Sequence, residues 1–357
     1  MLVTLARESH AQGHAVFVCV TRQSGLLRAE LSDGIPVYVL NRSWSLDPKG
    51  FWRFLEVLRL CQPDIVQVHG RSTAKFIAAA KRMSGFDAPV VFHDHYGGVY
   101  VDQSTPLWLR AGGHRLFSAY VGVCEKLRQW AIRSGFPEEV CHTIPNCLPS
   151  DEPIPFRGGQ QNLRERFKVP GECRLGICVA GIRPEKGIYE LIEACRQIHG
   201  QVRYKIVVVG GARDKRYGEQ CIAKVQEEQL GDVIEFAGEI PGIGGMLGET
   251  DFGVVASIFE SGPLALLEFM RAGIPFVSTA VGGVAEMAQQ AGLEEFVPPG
   301  DAEALADAIQ RVIRLSEEER ERRKRAGREL FSKVFEVSQV IQSWQKVYAA
   351  CLARGGK

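Results

Sequence analysis

Residues 258–283 read IFESGPLALLEFMRAGIPFVSTAVGG. Two carboxylates, Glu260 and Glu268, stand in a run that is otherwise small or apolar. An ionised side chain in such company is costly unless something pairs with it. Pro263 suits a first helical position, and Gly273 followed by Pro275 stops a helix. The stretch therefore predicts a helix over about 263–272, after a strand ending near Ser257 and before another at 275–280. A strand, a tight turn, a helix and a second strand make the repeating unit of a parallel α/β sheet.

The same alternation extends outward. Strand-like runs occur at 15–21 (AVFVCVT), 64–70, 88–95, 119–124, 174–181, 204–211, 233–238, 252–258 and 275–280. They are rich in Val and Ile and apolar nearly throughout, as strands covered on both faces are. Between them, Ile188, Leu191, Ile192 and Cys195 repeat at helical spacing, and so do Ala304, Leu305, Ala308, Ile309 and Val312 after Asp301, a natural N-cap. The reading is α/β with two Rossmann-like doubly wound domains, about what 357 residues accommodate at roughly 100 to 200 per domain. The first domain is expected over 1–148 and the second over 174–333, with a Pro- and Gly-rich linker at 149–173 and a closing helix within 334–357. The run EEERERRKRAGR at 317–328 predicts a solvated helix. The chain opens in a helical pattern that runs into the strand at 15–21, whereas a doubly wound domain ordinarily starts with a strand and a Gly-rich turn.

Composition excludes several classes. Net charge is +1, which argues against a nucleic-acid partner. Ten cysteines are scattered singly with no C-x-x-C pair, so the pattern predicts reduced thiols in a cytoplasmic protein rather than a zinc cage or a disulfide framework. No apolar run is long enough for a transmembrane helix, and the N-terminal residues do not read as a signal peptide.

Candidate ligand contacts cluster at strand ends. The first turn of the predicted helix, which opens at Pro263 and Leu264 next to Ser261 and Gly262, presents backbone N–H groups and a partial positive charge, which suit a phosphate. Glu268, a turn and a half into that helix, could take a pair of ribose hydroxyls, and Glu260, just before it, sugar hydroxyls; the plainer alternative pairs Glu268 with Arg271 and leaves Glu260 exposed. GIRPEKG at 181–187 brings Arg183 and Lys186 to the carboxyl end of a strand, where two cations can neutralise a diphosphate. VGG at 209–211, with Gly210 and Gly211, and FAGEI at 236–240, ending at Ile240, let backbone approach a base and ribose. Gly282 and Gly283 open a further helix, with Glu286 in its first turn.

Lys186 in R-P-E-K-G, the E-x7-E pair of Glu260 and Glu268, and the following G-I-P-F-V-S-T-A-V-G-G-V-A-E together resemble the donor domain of family-four retaining glycosyltransferases. The resemblance extends in order over PDIVQVHG, PVVFHDHYG, VGVCEKLRQWAIRSGFPEEVCHTIPN and the closing helix. It implies the GT-B fold: two Rossmann-like domains facing a cleft, with the last helix packing back on the first. It further implies that Arg183 and Lys186 hold the diphosphate of a nucleotide-sugar, Glu268 the ribose, and Glu260 the transferred sugar near its 3- and 4-hydroxyls. The backbone at Pro263 and Leu264 would touch the phosphates, and His95, with His93 as second choice, would face the donor sugar. No metal and no cofactor are expected, since the nucleoside-diphosphate sugar is itself a substrate. The sequence departs from the family in having Ser-Gly-Pro after Glu260, where Gly-Phe-Pro is frequent, and in lacking the first strand and its Gly-rich loop.

The implied reaction is sugar transfer with retention to a hydroxyl of a glycan or lipid-linked acceptor. A nicotinamide dehydrogenase is disfavoured, because the glycines of PGIGGMLGE at 242, 244, 245 and 248 miss G-x-G-x-x-G. An epimerase on the same fold and an inactive nucleotide-binding scaffold are the alternatives. The stretch 41–60 places Trp44, Trp52, Phe54 and Arg59 on an amphipathic helix, which reads first as core-facing and second as a peripheral membrane contact.

Overall fold

The computed structural model describes residues 1–23, 25–31, 34–149, 162–212, 214–293 and 296–354. The chain divides into two compact units, one formed by Met1–Cys147 with Val337–Lys357 and the other by Leu148–Glu336.

In the first unit, β1 (Val18–Val20) and β2 (Val37–Val39) pair in parallel as a sheet of their own. A four-stranded parallel sheet runs β3 (Val66–His69), β4 (Val90–Asp94), β5 (Ala119–Gly122), β6 (Cys141–Thr143) in that spatial order. Among the described residues no strand joins the two sheets. Val90, Phe92 and Tyr120 pack with the helices of one face, around the fully buried Trp130. Val91, Ala119 and Val121 point the other way, toward the closing helix Val337–Arg354, which buries Val340, Trp344 and Val347 against them. Strands apolar on both sides are thus covered on both sides, as their composition requires.

The 41–60 stretch differs from expectation. Its helix is Pro48–Cys61, capped by the Asp47 carboxylate, so Trp44 lies before it. Phe54 is in the core, while Trp44, Trp52 and Arg59 are exposed.

The second unit carries one six-stranded parallel sheet. Its strands are β7 (Arg174–Val179), β8 (Tyr204–Val209), β9 (Ile234–Gly238), β10 (Phe252–Val255), β11 (Phe276–Thr279) and β12 (Phe296–Val297). The spatial order is β12-β11-β10-β7-β8-β9. From β7 the chain winds outward through β8 to β9, then returns to the other side of β7 and winds outward again. The direction of winding therefore reverses between β7 and β10. Separate apolar clusters cover the two faces, one with Ile188, Leu191 and Ile309, the other with Leu266, Phe269 and Leu247.

The expected linker is shorter than its composition suggested. Residues 150–161 lie outside the described residues, but 162–173 belong to the second unit: the helix Leu163–Arg166 buries Leu163, and Phe167 and Val169 follow it into the core. The charged helix Glu317–Leu330 forms as predicted, with Glu319 bridging Arg322 and Arg323. Arg320 departs from the solvated reading, being buried with its guanidinium donating to the Asp251 carbonyl at 2.7 Å.

Candidate functional site

In an open parallel sheet, ligands bind beyond the carboxyl ends of the strands where the winding reverses. Here that point lies between β7 and β10. The loop after β7 carries Arg183 and Lys186, and the loop after β10 carries Glu260 and Ser261. The two loops touch. Gly187 has φ +63°, and an added Cβ there would collide with the Ala256 carbonyl oxygen. The Ile258 N–H donates to the Glu185 carbonyl at 2.9 Å. Lys186 is ion-paired with Glu260, and the Ser257 hydroxyl donates to the same carboxylate oxygen at 3.3 Å. Both side chains of the pair are mostly buried, at 18% and 17% exposure. Arg183, in the same loop, pairs with Glu185 at 3.2 Å.

The helix predicted over 263–272 is Leu264–Ala272, with Pro263 at its N-cap and Gly273, at φ +65°, ending it. Ser261, Gly262 and Pro263 are buried and Leu264 is exposed. The Gly283 N–H donates to the Ser261 carbonyl at 3.1 Å, which fixes this turn against the start of helix Gly282–Gln290. The Thr279 hydroxyl donates to the Ser257 carbonyl at 2.7 Å.

Glu268 is partly buried and has no hydrogen-bond partner among the described residues. Arg271 does not supply one, since its guanidinium donates to the Pro149 carbonyl at 3.1 Å. Burial pushes the Glu268 carboxyl above its ordinary value, and the charge of Arg271 offsets part of the rise. The carboxylate is thus desolvated with only the partial compensation of Arg271's charge and no hydrogen bond among the described residues, the condition in which a ligand's hydroxyls are worth most.

The glycine end of β8 is also close-packed. Gly210 has φ +154° and room for no side chain beside the Ala180 carbonyl, and its N–H donates to the Gly238 carbonyl at 2.8 Å. Gly211 lies against the Glu239 carboxylate, and Ile240 is buried.

The histidines belong to the first unit. In the register of β3 with β4, His69 stands opposite His93, and His95 follows just past the end of β4. Nδ1 of His69 lies 3.2 Å from Nε2 of His95, and the His93 and His95 ring centroids are 3.9 Å apart. Burial keeps all three rings neutral: it depresses His69 to about 3, His95 to about 4, and His93 well below its ordinary value. His93 is fully buried against Trp344, while His95 is only partly so. Between them Asp94 points to the opposite face. Its carboxylate, fully buried, pairs with Arg71 at 3.0 Å, accepts from the Tyr120 hydroxyl at 3.0 Å, and accepts from the Tyr96 N–H at 3.0 Å. The Arg71 guanidinium is held between the rings of Tyr96 and Trp130, 3.9 Å from each centroid.

The structure therefore gathers Lys186 and Glu260 into direct contact, sets Arg183 in the same loop but on Glu185, and puts Glu268 in the helix that follows. Sequence reasoning did not single out Ser257, Thr279, His69 or Arg71. His69 is the last residue of β3, within the run DIVQVHG, but only the strand register shows that it meets His93 and His95.

Two Rossmann-like units of parallel sheet, one with a charged pair at its switch point, define the fold of the GT-B glycosyltransferases. Residues 159–330 match Glycosyl transferases group 1, and residues 1–152 match Glycosyltransferase Family 4. The chain belongs to this group 1, family-four-like set of glycosyltransferases. It is 34% identical over 159 residues to a colanic acid biosynthesis glycosyltransferase by name, WcaL of Salmonella typhimurium, covering 42% of this chain and 38% of that protein. It is 24% identical over 214 residues to N-acetyl-alpha-D-glucosaminyl L-malate synthase of Bacillus anthracis, covering 59% of this chain and 54% of the relative. The chain thus spans less than two thirds of the length of these relatives. Among solved structures, a glycosyltransferase from Rickettsia africae superposes with a TM-score of 0.82 at 18% identity, over 98% of this chain and 93% of that one. HepE of Anabaena in complex with UDP-glucose gives 0.80 at 18% identity, over 98% and 94%.

Proposed function

We propose that this chain transfers a sugar from a nucleoside diphosphate to a hydroxyl of a glycan or lipid-linked acceptor, with retained anomeric configuration and without a metal in the transfer step. The observation that carries the reading is the Lys186–Glu260 pair at the β7/β10 switch point, followed within one helix by the unpartnered Glu268.

In this reading the diphosphate draws Lys186 away from Glu260. The ammonium, Arg183 and the N–H groups at the start of helix Leu264–Ala272 then neutralise the leaving group, a preorganised electrostatic arrangement. Glu260, released from its partner, accepts hydrogen bonds from the sugar hydroxyls. Glu268 takes the ribose hydroxyls, and the backbone at Gly210, Gly211 and Ile240 lines the base. His95 is assigned to the donor sugar by the family resemblance. The bond from the anomeric carbon to the phosphate oxygen breaks as the bond to the acceptor oxygen forms on the same face. The acceptor's proton passes to the departing phosphate oxygen, so no side-chain nucleophile is required.

HepE's complex with UDP-glucose favours a UDP-sugar donor, and the name of WcaL favours an extracellular-polysaccharide acceptor. No helix among the described residues is long and apolar enough to cross a membrane. The exposed Trp44 and Trp52, with Lys49, Arg53 and Arg59 beside them, suit peripheral contact with the cytoplasmic leaflet.

A thermal-shift panel of UDP, GDP, ADP and dTDP on the native chain and on Glu268→Ala tests the donor site. A ligand at ~100 times its dissociation constant stabilises by about 2.7 kcal/mol, or roughly 5 to 10 °C. A shift with one nucleotide, lost in the variant, supports the reading. No shift with any of them on the folded chain overturns it. Turnover in the presence of EDTA then tests metal independence, and binding without turnover on any acceptor would point to the scaffold alternative.

A further inference from the structure

We infer that His69, His93 and His95 form a binding site for a divalent cation of the zinc class. One ring nitrogen of each lies within 4.8 Å of the others. The topology makes the cluster. His69 and His93 are direct cross-strand partners, so their side chains share a face of the sheet, and His95, two residues on, returns to that face. Asp94, on the opposite face, is consumed by Arg71 and Tyr120. The cluster is accordingly all nitrogen.

Three imidazoles in contact satisfy one another poorly. His69 and His95 share a single hydrogen bond at 3.2 Å. The Nε2 of His93 is buried with no partner among the described residues. A cation would satisfy the orphaned Nε2 of His93. The 3.2 Å separation is close to the ~3.3 Å between ligand atoms in a tetrahedral site with bonds of about 2.0–2.1 Å. Closing the cluster from its 4.8 Å spread needs a displacement of about 1.5 Å.

The outer shell fits as well. Gln67 lies 3.4 Å from Nδ1 of His93, and Tyr348 is bonded to the same amide. The amide can turn its oxygen to Nδ1, because the tyrosine hydroxyl accepts as readily as it donates. Nδ1 then carries the proton and Nε2 presents its lone pair, the arrangement that orients metal-bound histidines. The neutral state that burial gives the three rings is the ligating state. An all-imidazole set selects Zn2+, Co2+, Ni2+ or Cu2+ over Mg2+ or Ca2+, and three ligands leave a fourth position open. Because His95 is one of the ligands, and on the reading above also faces the donor sugar, the cation and the donor would compete for it.

The test is titration of the full chain with Co2+, followed by optical absorption, and with Zn2+ in competition. The expected result is one ion per chain with d–d bands of a nitrogen-ligated site and no thiolate charge-transfer band. His69→Ala should weaken binding by more than the roughly tenfold to hundredfold that loss of an outer-shell partner costs. His69 is at the partly exposed edge of the cluster, so this variant remains informative if His93→Ala fails to fold; circular dichroism checks both. Absence of stoichiometric binding to the folded native chain overturns the site, and so does binding that persists unchanged in His69→Ala or shows thiolate bands from the cysteines. The nucleotide shifts of the second unit are read independently, so a failure here is distinguishable from a failure of the donor reading.

Discussion

Lys186 and Glu260, 74 residues apart in sequence, neutralise each other across the two loops that meet at the sheet's switch point. Each charge compensates the other, so neither is left buried alone. On the proposed reading, this keeps in place the cation that would serve the leaving group.

Lys186→Ala should reduce kcat/KM by about 100-fold or more, the scale of losing one preorganised donor to a developing anion. Lys186→Arg should recover only part of this, because the planar guanidinium does not reproduce a point charge in a short loop. Steady-state kinetics on the two variants check the order; equal activity of Ala and native enzyme would remove Lys186 from the site.

Glu268→Gln should separate stability from binding. The Glu268 carboxyl is raised by burial, so the folded state holds its proton more tightly than the unfolded chain does. Stability from this group is therefore fully present below the unfolded carboxylate range, near 4.3, and falls as pH climbs through the raised folded value. Above that window the amide variant should melt no lower than the native chain, yet bind nucleoside diphosphate about 10- to 100-fold more weakly, as expected for losing charge-assisted hydrogen bonds. Melting curves at pH 4 and pH 8, with nucleotide titrations at pH 8, decide it.

Gly187→Ala should damage the second unit from within the loop. The residue sits at φ +63°, and its missing Cβ makes room for the Ala256 carbonyl. The added methyl group forces the β7 and β10 loops apart, at a cost of about 2–3 kcal/mol, or roughly 4–10 °C in Tm. Nucleotide binding should fall with it. Gly171→Ala, where a Cβ meets nothing within 4 Å, is the control and should leave both unchanged.

Arg71→Ala should destabilise the first unit by about 3–5 kcal/mol, because the fully buried Asp94 loses its counter-charge. Arg71→Lys should rescue little, since a lysine cannot lie flat between Tyr96 and Trp130. Adding Asp94→Asn to Arg71→Ala should recover much of the loss. Chemical denaturation of Arg71→Ala, Asp94→Asn and the double variant measures the coupling, and strictly additive effects would show that the pair is not coupled.

Most of the architecture was legible in the sequence because buried parallel strands write themselves as continuous Val/Ile runs. All nine such runs contain strands. The strands that were missed, β2, β6 and β12, are two or three residues long; β1 is as short and was found because it lies inside the longer apolar run at 15–21. The 162–173 segment read as linker because a four-residue helix has no periodicity, although Leu163 and Phe167 are core residues. Arg320 read as solvated because charge was counted along the helix and not around it. At the candidate site, residue type and spacing singled out Glu260, Glu268 and Lys186 as candidates, whereas their contacts were not legible. The Lys186–Glu260 pair and the meeting of His69 with His95 depend on strand order and register, which no local pattern encodes.

The sheet order has a practical consequence for altering this protein. The charged residues stand on the loops of β7 and β10, while the glycine ends assigned to the base stand on β8 and β9. On the proposed reading, chemistry and base choice would be carried by different segments of backbone. Grafting the turns at 210–212 and 238–242 from a relative of different donor preference should exchange the nucleobase accepted while the transfer machinery stays untouched, so that donor preference behaves as a replaceable cassette.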